Sequence, residues 1–258
     1  MKISIIGTGN MGGSIARALA GGTYVESSDI TCTARSAETL KKYQDKFNVT
    51  TDNKAAVRDA DIVIFAVKPW LMEEVVKDVA PDMDSDRQMV ASVAAGVSFS
   101  QLSQWLGRND AVLFRVIPNT AIEIGSGVTF VSSYNASEAQ RQTIVGMFGE
   151  MGFVQEVEEE MMASGTALAS CGIAYAMKYI QAAIAGGEKL GFEPEQARKI
   201  VEYTVKGAAE LLLATGNPPQ TEINKVTTPG GLTAKGLAAM DEAGFDQAVL
   251  DGLTKALG

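Results

Sequence analysis

Residues Gly7-Thr8-Gly9-Asn10-Met11-Gly12 spell G-x-G-x-x-G between an apolar run, Ile3–Ile6, and an amphipathic stretch carrying Ile15 and Leu19. A glycine turn alone would satisfy the spacing; a strand before it and a helix after it make the context that matters. Gly7 suits the tight turn, Gly9 lets backbone approach a pyrophosphate, and Gly12 lets the helix pack closely on the strand. The helix N-terminus then offers free N–H groups and a positive dipole end to phosphate. The chain is therefore expected to begin with a dinucleotide-binding α/β domain.

The pattern that follows agrees. Short β-branched runs are expected as strands at 2–6, 29–33, 61–66, 88–93 and 112–116, then 128–131 and 154–157. Helical stretches fall between them at 11–20, 37–47, 71–79, 99–105 and 137–151. Val and Ile runs without polar alternation suit central parallel strands covered on both faces, the mark of a doubly wound sheet. After the acidic run Glu156–Glu160 the sequence reads as helix throughout. Stretch 164–190 is Ala-rich and apolar on most faces, so burial on more than one side is expected. Helices at 194–214, 233–243 and 245–257 follow, the first opened by Pro194 and stopped by Gly216-Asn217-Pro218-Pro219. The expected fold class is α/β, with a Rossmann domain over 1–155 and an all-α domain over 156–258. So apolar a helical half would struggle to bury itself alone, which predicts a dimer, with packing entirely on its own sheet domain as the alternative.

Composition excludes several chemistries. The 258 residues carry a net charge of −9, against the basic stripe that nucleic acid requires. No run approaches the roughly 18 apolar residues of a membrane helix. With no histidine in the chain, a His base, a Ser-His-Asp triad and every His-ligated metal site are ruled out. Cys32 and Cys171 have neither metal nor CxxC spacing and read as small core residues in a reducing, cytoplasmic setting. No metal is expected. Because a strand starts at the third residue and feeds the glycine loop, no cleavable targeting segment is expected either.

The second expected strand ends Thr31-Cys32-Thr33-Ala34-Arg35-Ser36, without the acid that usually holds the ribose hydroxyl of NAD. Arg35 and Ser36 suit a 2′-phosphate by charge and hydrogen bond, which favours NADPH, with NADH as the alternative. Arg35 as a solvated loop charge is the plainer reading. Ala66-Val67-Lys68-Pro69 ends the next strand at the edge where open sheets bind ligands, and Lys68 is either a phosphate or ribose contact or a surface lysine. Ala95 and Gly96 let backbone come close to a nicotinamide, or serve packing alone. In the helical half, Val226-Thr227-Thr228-Pro229-Gly230-Gly231-Leu232-Thr233 builds either a carboxylate-binding loop of exposed N–H groups or a helix start capped by Thr227 or Thr228.

These pieces together resemble the pyrroline-5-carboxylate reductases, over essentially the full length. The glycine loop, Ala66–Pro69, Ser92-Val93-Ala94-Ala95-Gly96, Arg115-Val116-Ile117-Pro118-Asn119-Thr120 and Val226–Thr233 occur in family order. The last is similar to the specific signature V-[ST]-[ST]-P-G-G-x-T. The resemblance implies hydride transfer from NADPH to the C=N carbon of 1-pyrroline-5-carboxylate, giving L-proline in the last step of its biosynthesis. It implies that the Thr233 hydroxyl reaches the ring nitrogen and that Gly230 and Gly231 donate to the carboxylate. Asn119, Val226, Thr227 and Thr228 would complete the substrate site. Gly7, Thr8, Gly9, Asn10, Met11, Gly12, Arg35, Ser36, Asn53, Ala66, Val67, Lys68, Pro69, Ala95 and Gly96 would line the cofactor. It also implies a homodimer with interleaved C-terminal helices, in some members built up to decamers.

The chain departs from the family at three places. Ser170-Cys171-Gly172-Ile173-Ala174-Tyr175 stands where Gly-Ser-Gly-Pro-Ala-Tyr is usual, Ala121 replaces a proline, and Pro218-Pro219 replaces His-Pro. A β-hydroxyacid dehydrogenase of the same plan needs a lysine with asparagine one helical turn later; Lys178 is followed by Ala182. A broader cyclic-imine reductase and a non-catalytic dinucleotide sensor stay open on sequence alone.

Overall fold

The computed structural model describes residues 1–84 and 86–257. Its first compact unit, Met1–Ser170, is built on an eight-stranded sheet. In chain order its elements are β1 (Ile3–Ile6), α1 (Asn10–Leu19), β2 (Ile30–Thr33), α2 (Ala37–Leu40), β3 (Asn48–Thr50), α3 (Asn53–Arg58), β4 (Ile62–Phe65) and α4 (Met72–Val79). There follow β5 (Met89–Ser92), α5 (Phe99–Leu106), β6 (Val112–Pro118), β7 (Gly127–Tyr134), α6 (Glu138–Gly149), β8 (Gly152–Glu156) and a short α7 (Met162–Gly165). Strand order is β3-β2-β1-β4-β5-β6-β7-β8. The first six are parallel and in the Rossmann order; β7 runs antiparallel to β6, and β8 parallel to β7.

The β-branched runs form central strands because both faces are covered. Ile3, Ile5, Ile30 and Ile64 pack on one face with Ile15 and Leu19 of α1 and Phe148 of α6. Ile6, Val63, Phe65 and Leu113 pack on the other with α3, α4 and α5. Each such side chain contributes roughly 1.5–3 kcal/mol by leaving water. Local signals set the helix ends. Ser98 with Gln101 and Ser137 with Gln140 form capping boxes at α5 and α6, and Gly107 closes α5 in the left-handed region at φ +70.

Four elements differ from the sequence expectation: α2, β3, α3 and the Pro219–Val226 helix. The helix expected over 37–47 stops at Leu40, and irregular turns carry the chain on to Phe47. Those turns bury Tyr43 and Phe47 against the core and bring Tyr43 Oη up to Gly13 of α1, where any side chain would collide. They lead directly into β3, an edge strand whose three residues, Asn-Val-Thr, give no apolar run. The other two, α3 and the later Pro219–Val226 helix, are short and went unanticipated.

The second compact unit, Cys171–Gly258, is helical: α8 (Gly172–Lys189), α9 (Pro194–Thr215), α10 (Pro219–Val226), α11 (Leu232–Glu242) and α12 (Phe245–Lys255). The units divide inside the apolar helical stretch rather than at the acidic run, next to a π-helical turn over Thr166–Cys171 that precedes α8. Pro194 does open α9, and Gly216 closes it at φ +65. Tyr175 Oη donates to Gly252 O at 3.2 Å, and the Tyr179 and Phe245 rings meet edge-on, tying α8 to α12. Within the single chain, α8 to α12 bury one residue, Ala197, while Leu213 is 85% exposed. The many-sided burial expected of the long helix is thus not supplied within one chain. Cys32 is buried in β2, and burial pushes its thiol up to about 12; Cys171 is only partly buried.

Candidate active site

The glycine loop is shaped by clashes it avoids. Gly7 has φ +96, and a Cβ there would meet Val67 Cγ1 at 2.6 Å. A Cβ on Gly12 would run into the Gly7 carbonyl oxygen and reach Ala66 Cβ at 3.0 Å. Gly9 is the opposite case: a Cβ there meets nothing within 4 Å. Gly9 is also the N-cap of α1, and no side chain caps that helix end. Open space over uncapped N–H groups, flanked by glycines that draw α1 onto β1 and β4, fits a dinucleotide pyrophosphate.

The loop is pinned from β2. Gly7 N donates to Thr33 Oγ1 at 3.2 Å, and Thr8 N and Oγ1 both donate to Thr33 O at 2.7 Å. Thr8 is fully buried, so its hydroxyl serves the loop's shape. Asn10 and Met11 open α1, Asn10 exposed and Met11 partly buried. The loop's far side is held by Glu123, which accepts from Ser14 Oγ at 3.1 Å and Arg17 Nη2 at 2.7 Å. Arg17, and after it Ser14, hold the Glu123 carboxyl below its ordinary value.

Parallel register brings the other stretches to the same edge. Ile6 is level with Thr33 and Phe65, Phe65 with Ser92, and Ser92 with Arg115. The carboxyl ends of β1, β2, β4 and β5 therefore stand in one row, level with Arg115 midway along β6, and β1 lies at the point where strand order reverses. Arg35 and Ser36 follow β2. Arg35 is exposed and has no carboxylate partner among the described residues, while Ser36 Oγ accepts the Thr39 N–H at 3.3 Å as the cap of α2. Ala66 and Val67 are partly buried after β4; Lys68 and Pro69 are exposed. Ala95 and Gly96, both exposed, follow β5, with Gly96 at φ +79. Asn53 opens α3, after the edge strand β3. Asn119 is buried after β6, and its Oδ1 accepts the Ala121 and Val128 N–H groups, so that oxygen holds the β6–β7 corner.

In the helical unit, Val226 ends α10 and Thr227 Oγ1 donates back to Ile223 O at 2.7 Å. Thr228-Pro229-Gly230-Gly231 is a β-turn closed by Gly231 N to Thr228 O at 2.9 Å. Gly230, at φ +72, takes the third position, as in a type II turn. A Cβ on Gly231 would collide with Thr228 Oγ1. The next residue starts α11, whose N-cap is Gly231 with no side-chain cap. Neither Thr227 nor Thr228 caps it, so the capping alternative is corrected: the Thr227 hydroxyl donates back into α10 instead. Thr233 is exposed in the first turn, and its hydroxyl has no protein partner among the described residues. The Leu232 and Thr233 N–H groups are first-turn amides without intrahelical acceptors. Gly231 N is spent on the turn, which leaves those two, Ala234 N and Gly230 N as donors.

Sequence reasoning had no means of finding Thr33, whose partner Thr8 lies 25 residues away, or Glu123, 106 residues from Arg17. Neither has a motif; each acts only through the fold.

Residues 159–258 match the family described as pyrroline-5-carboxylate reductase dimerisation, and residues 2–96 that of NADP oxidoreductase, coenzyme F420-dependent. A pyrroline-5-carboxylate reductase of Aquifex aeolicus is 32% identical over 97% of this chain and 93% of its own. One from Dictyostelium discoideum is 32% identical over 97% of this chain; the match spans 48% of that longer protein. Among solved structures, Plasmodium falciparum pyrroline carboxylate reductase with NADP bound superposes with a TM-score of 0.92 at 25% identity, covering 100% of this chain and 95% of that one. A Coxiella burnetii pyrroline-5-carboxylate reductase gives 0.90 at 28%, covering 99% and 96%. Mycobacterium tuberculosis 3-hydroxyisobutyrate dehydrogenase, at 15% identity and a TM-score of 0.54, shares the fold alone.

Proposed function

Because the chain belongs to the pyrroline-5-carboxylate reductase family, we propose that it reduces 1-pyrroline-5-carboxylate to L-proline with NADPH. When bound, NADPH supplies a hydride to the C=N carbon. The glycine loop and the first turn of α1 hold the pyrophosphate. Arg35 and the Ser36 hydroxyl meet the 2′-phosphate, and the Ala95–Gly96 turn lies on the nicotinamide side. In the helical unit, the Gly230, Leu232 and Thr233 N–H groups receive the substrate carboxylate. Thr233 Oγ1 hydrogen-bonds the ring nitrogen and fixes the ring face that is presented. A cyclic imine is basic enough to arrive protonated, so hydride addition completes the amine and no strong general acid is required. This accords with a chain that has no histidine. Catalysis then rests on positioning.

The observation that carries this reading is the start of α11. A helix N-terminus with no side-chain cap stands beside an exposed hydroxyl that no protein group uses. The test follows NADPH absorbance with 1-pyrroline-5-carboxylate, against NADH and a six-membered cyclic imine. NADPH consumption with stoichiometric proline supports it; bound NADPH without turnover overturns it.

The active form is a homodimer assembled through α8 to α12, on the support of their unburied apolar side chains and of the dimerisation family they match. Sedimentation separates this from a decamer of such dimers, the assembly some family members reach. A cytoplasmic setting suits the free thiols of Cys32 and Cys171, and no described helix is long and apolar enough to cross a membrane.

A further inference from the structure

Arg115 is a cation inside the sheet. Its side chain is 9% exposed, between Ser92 of β5 and Ser132 of β7. Nη1 donates to Glu159 Oε1 at 3.0 Å, while the buried Nε has no partner among the described residues. The same Glu159 oxygen accepts the Phe99 N–H at 2.7 Å. One carboxylate thus joins β6, the first amide of α5 and the 3₁₀ turn Glu159–Met161 that leads to α7. Taking the guanidinium out of water costs several kcal/mol, and Glu159, whose side chain is 32% exposed, returns only part of that through a partly solvated contact. Stability is therefore a poor account of why β6 carries arginine between Leu113 and Ile117 on one face of the strand.

Its place gives a better one. The turn from Ala94 to Ser98 hangs between the end of β5 and the start of α5. At its tip Ala95 and Gly96 are exposed, and a Cβ on Gly96 meets nothing within 4 Å. Ala94 and Val97 on either side of the tip are buried in the core, and the ends of the turn beyond them are held as well. The β5 end is fixed in the sheet, where Ser92 Oγ accepts the Ala94 N–H at 3.3 Å. The α5 end is fixed by Glu159, and Glu159 is aimed by Arg115.

We infer that Arg115, acting through Glu159, is a positioning residue for hydride transfer, setting where the Ala95–Gly96 turn holds the nicotinamide. This rests on the reading above, which puts that turn on the nicotinamide side. The pyrophosphate and 2′-phosphate contacts lie elsewhere on the edge and are untouched by the junction.

The test compares Glu159→Ala, Glu159→Gln and Arg115→Met in the full-length enzyme. Three quantities are read: the NADPH dissociation constant, kcat at saturating substrates, and Tm. Glu159→Ala and Arg115→Met lower kcat about tenfold or more while the NADPH dissociation constant moves less than about threefold. Glu159→Gln, whose carboxamide oxygen still accepts from Phe99 N and Arg115, recovers at least about a third of the parent kcat. Should Arg115→Met fail to fold, the two Glu159 variants decide. A Glu159→Ala enzyme with parent kcat and only a lowered Tm overturns the inference, as does Glu159→Gln behaving like Glu159→Ala. If the parent protein shows no turnover, the proposed function falls separately. The inference is then judged by bound-NADPH fluorescence, which reports the nicotinamide's surroundings: a spectrum identical in parent and Glu159→Ala refutes it.

Discussion

Replacing Gly9 by alanine separates the two jobs of the glycine loop, because the structure gives this position no steric reason to be glycine. Its backbone is extended, at φ −74 and ψ −151, and a Cβ enters open space. Alanine is a poorer N-cap than glycine by about 0.5–1 kcal/mol, and a stiffer unfolded chain returns about 0.4–1 kcal/mol. The two nearly cancel, so Tm should move by no more than about 2–4 °C. The new methyl stands where a pyrophosphate must approach the first-turn amides, and weakening charge-assisted bonds of about 1.5–3 kcal/mol should loosen NADPH ten- to a hundredfold. Gly12→Ala is the contrasting variant. Its Cβ collides with the Gly7 carbonyl oxygen, an overpacking cost of about 1–3 kcal/mol offset by up to about 1 kcal/mol of helix propensity. NADPH titration and thermal melting on the same preparations read both quantities. Gly9→Ala binding NADPH as tightly as the parent, or melting lower than Gly12→Ala, would refute the reasoning.

Thr233→Ala should lower kcat/KM about ten- to a hundredfold with Tm unchanged, since the hydroxyl has no protein partner; Thr233→Ser should keep most activity, and an active alanine variant removes the assignment. Arg35→Ala should raise the KM for NADPH about tenfold or more and leave NADH unaffected, so equal losses would defeat the 2′-phosphate contact. Gly230→Val places a β-branched residue at φ +72, a strain of about 1–2 kcal/mol; substrate KM should rise while NADPH binding holds, as titration with each ligand would reveal. The Cys32 thiol is raised to about 12 in the folded protein from an ordinary 9.0. Above that ordinary value the unfolded chain loses a proton that the native one keeps. Stability should therefore fall by about 1.4 kcal/mol per pH unit between roughly 9 and 12. Urea unfolding of Cys32→Ala should lack that component, and identical pH slopes would exclude it.

The strands that sequence reveals most directly are those buried on both faces, although the largely exposed edge strand β8 is legible too, from Val154. Ile3–Ile6, Ile62–Phe65 and Met89–Ser92 announce themselves because covering both faces leaves no room for polar alternation. At the sheet's rim that pressure is absent, and Asn48–Thr50 pairs with β2 without an apolar run to mark it. The 37–47 segment has helical spacing in Leu40, Tyr43 and Phe47, yet tertiary packing against Gly13 and the core winds it into turns. At the site, the glycine loop was legible because its chemistry is local to six residues. Arg115 was visible only as part of a motif, since its partner Glu159 lies 44 residues away. At Thr227 and Thr228 sequence left a real ambiguity, and backbone geometry removes only the side-chain cap, by giving α11 a glycine N-cap.

The helices α8 to α12 have almost no interior of their own, and in the proposed homodimer this would tie output to abundance. A unit whose apolar faces are completed by a second copy is governed by mass action, so its melting point should climb with protein concentration. On deep dilution, activity would fall faster than linearly with chain number. A cell making a catalytically dead but association-competent copy beside the normal one would spread the defect through mixed pairs. Gene dosage would then shape flux more steeply than a count of active chains suggests.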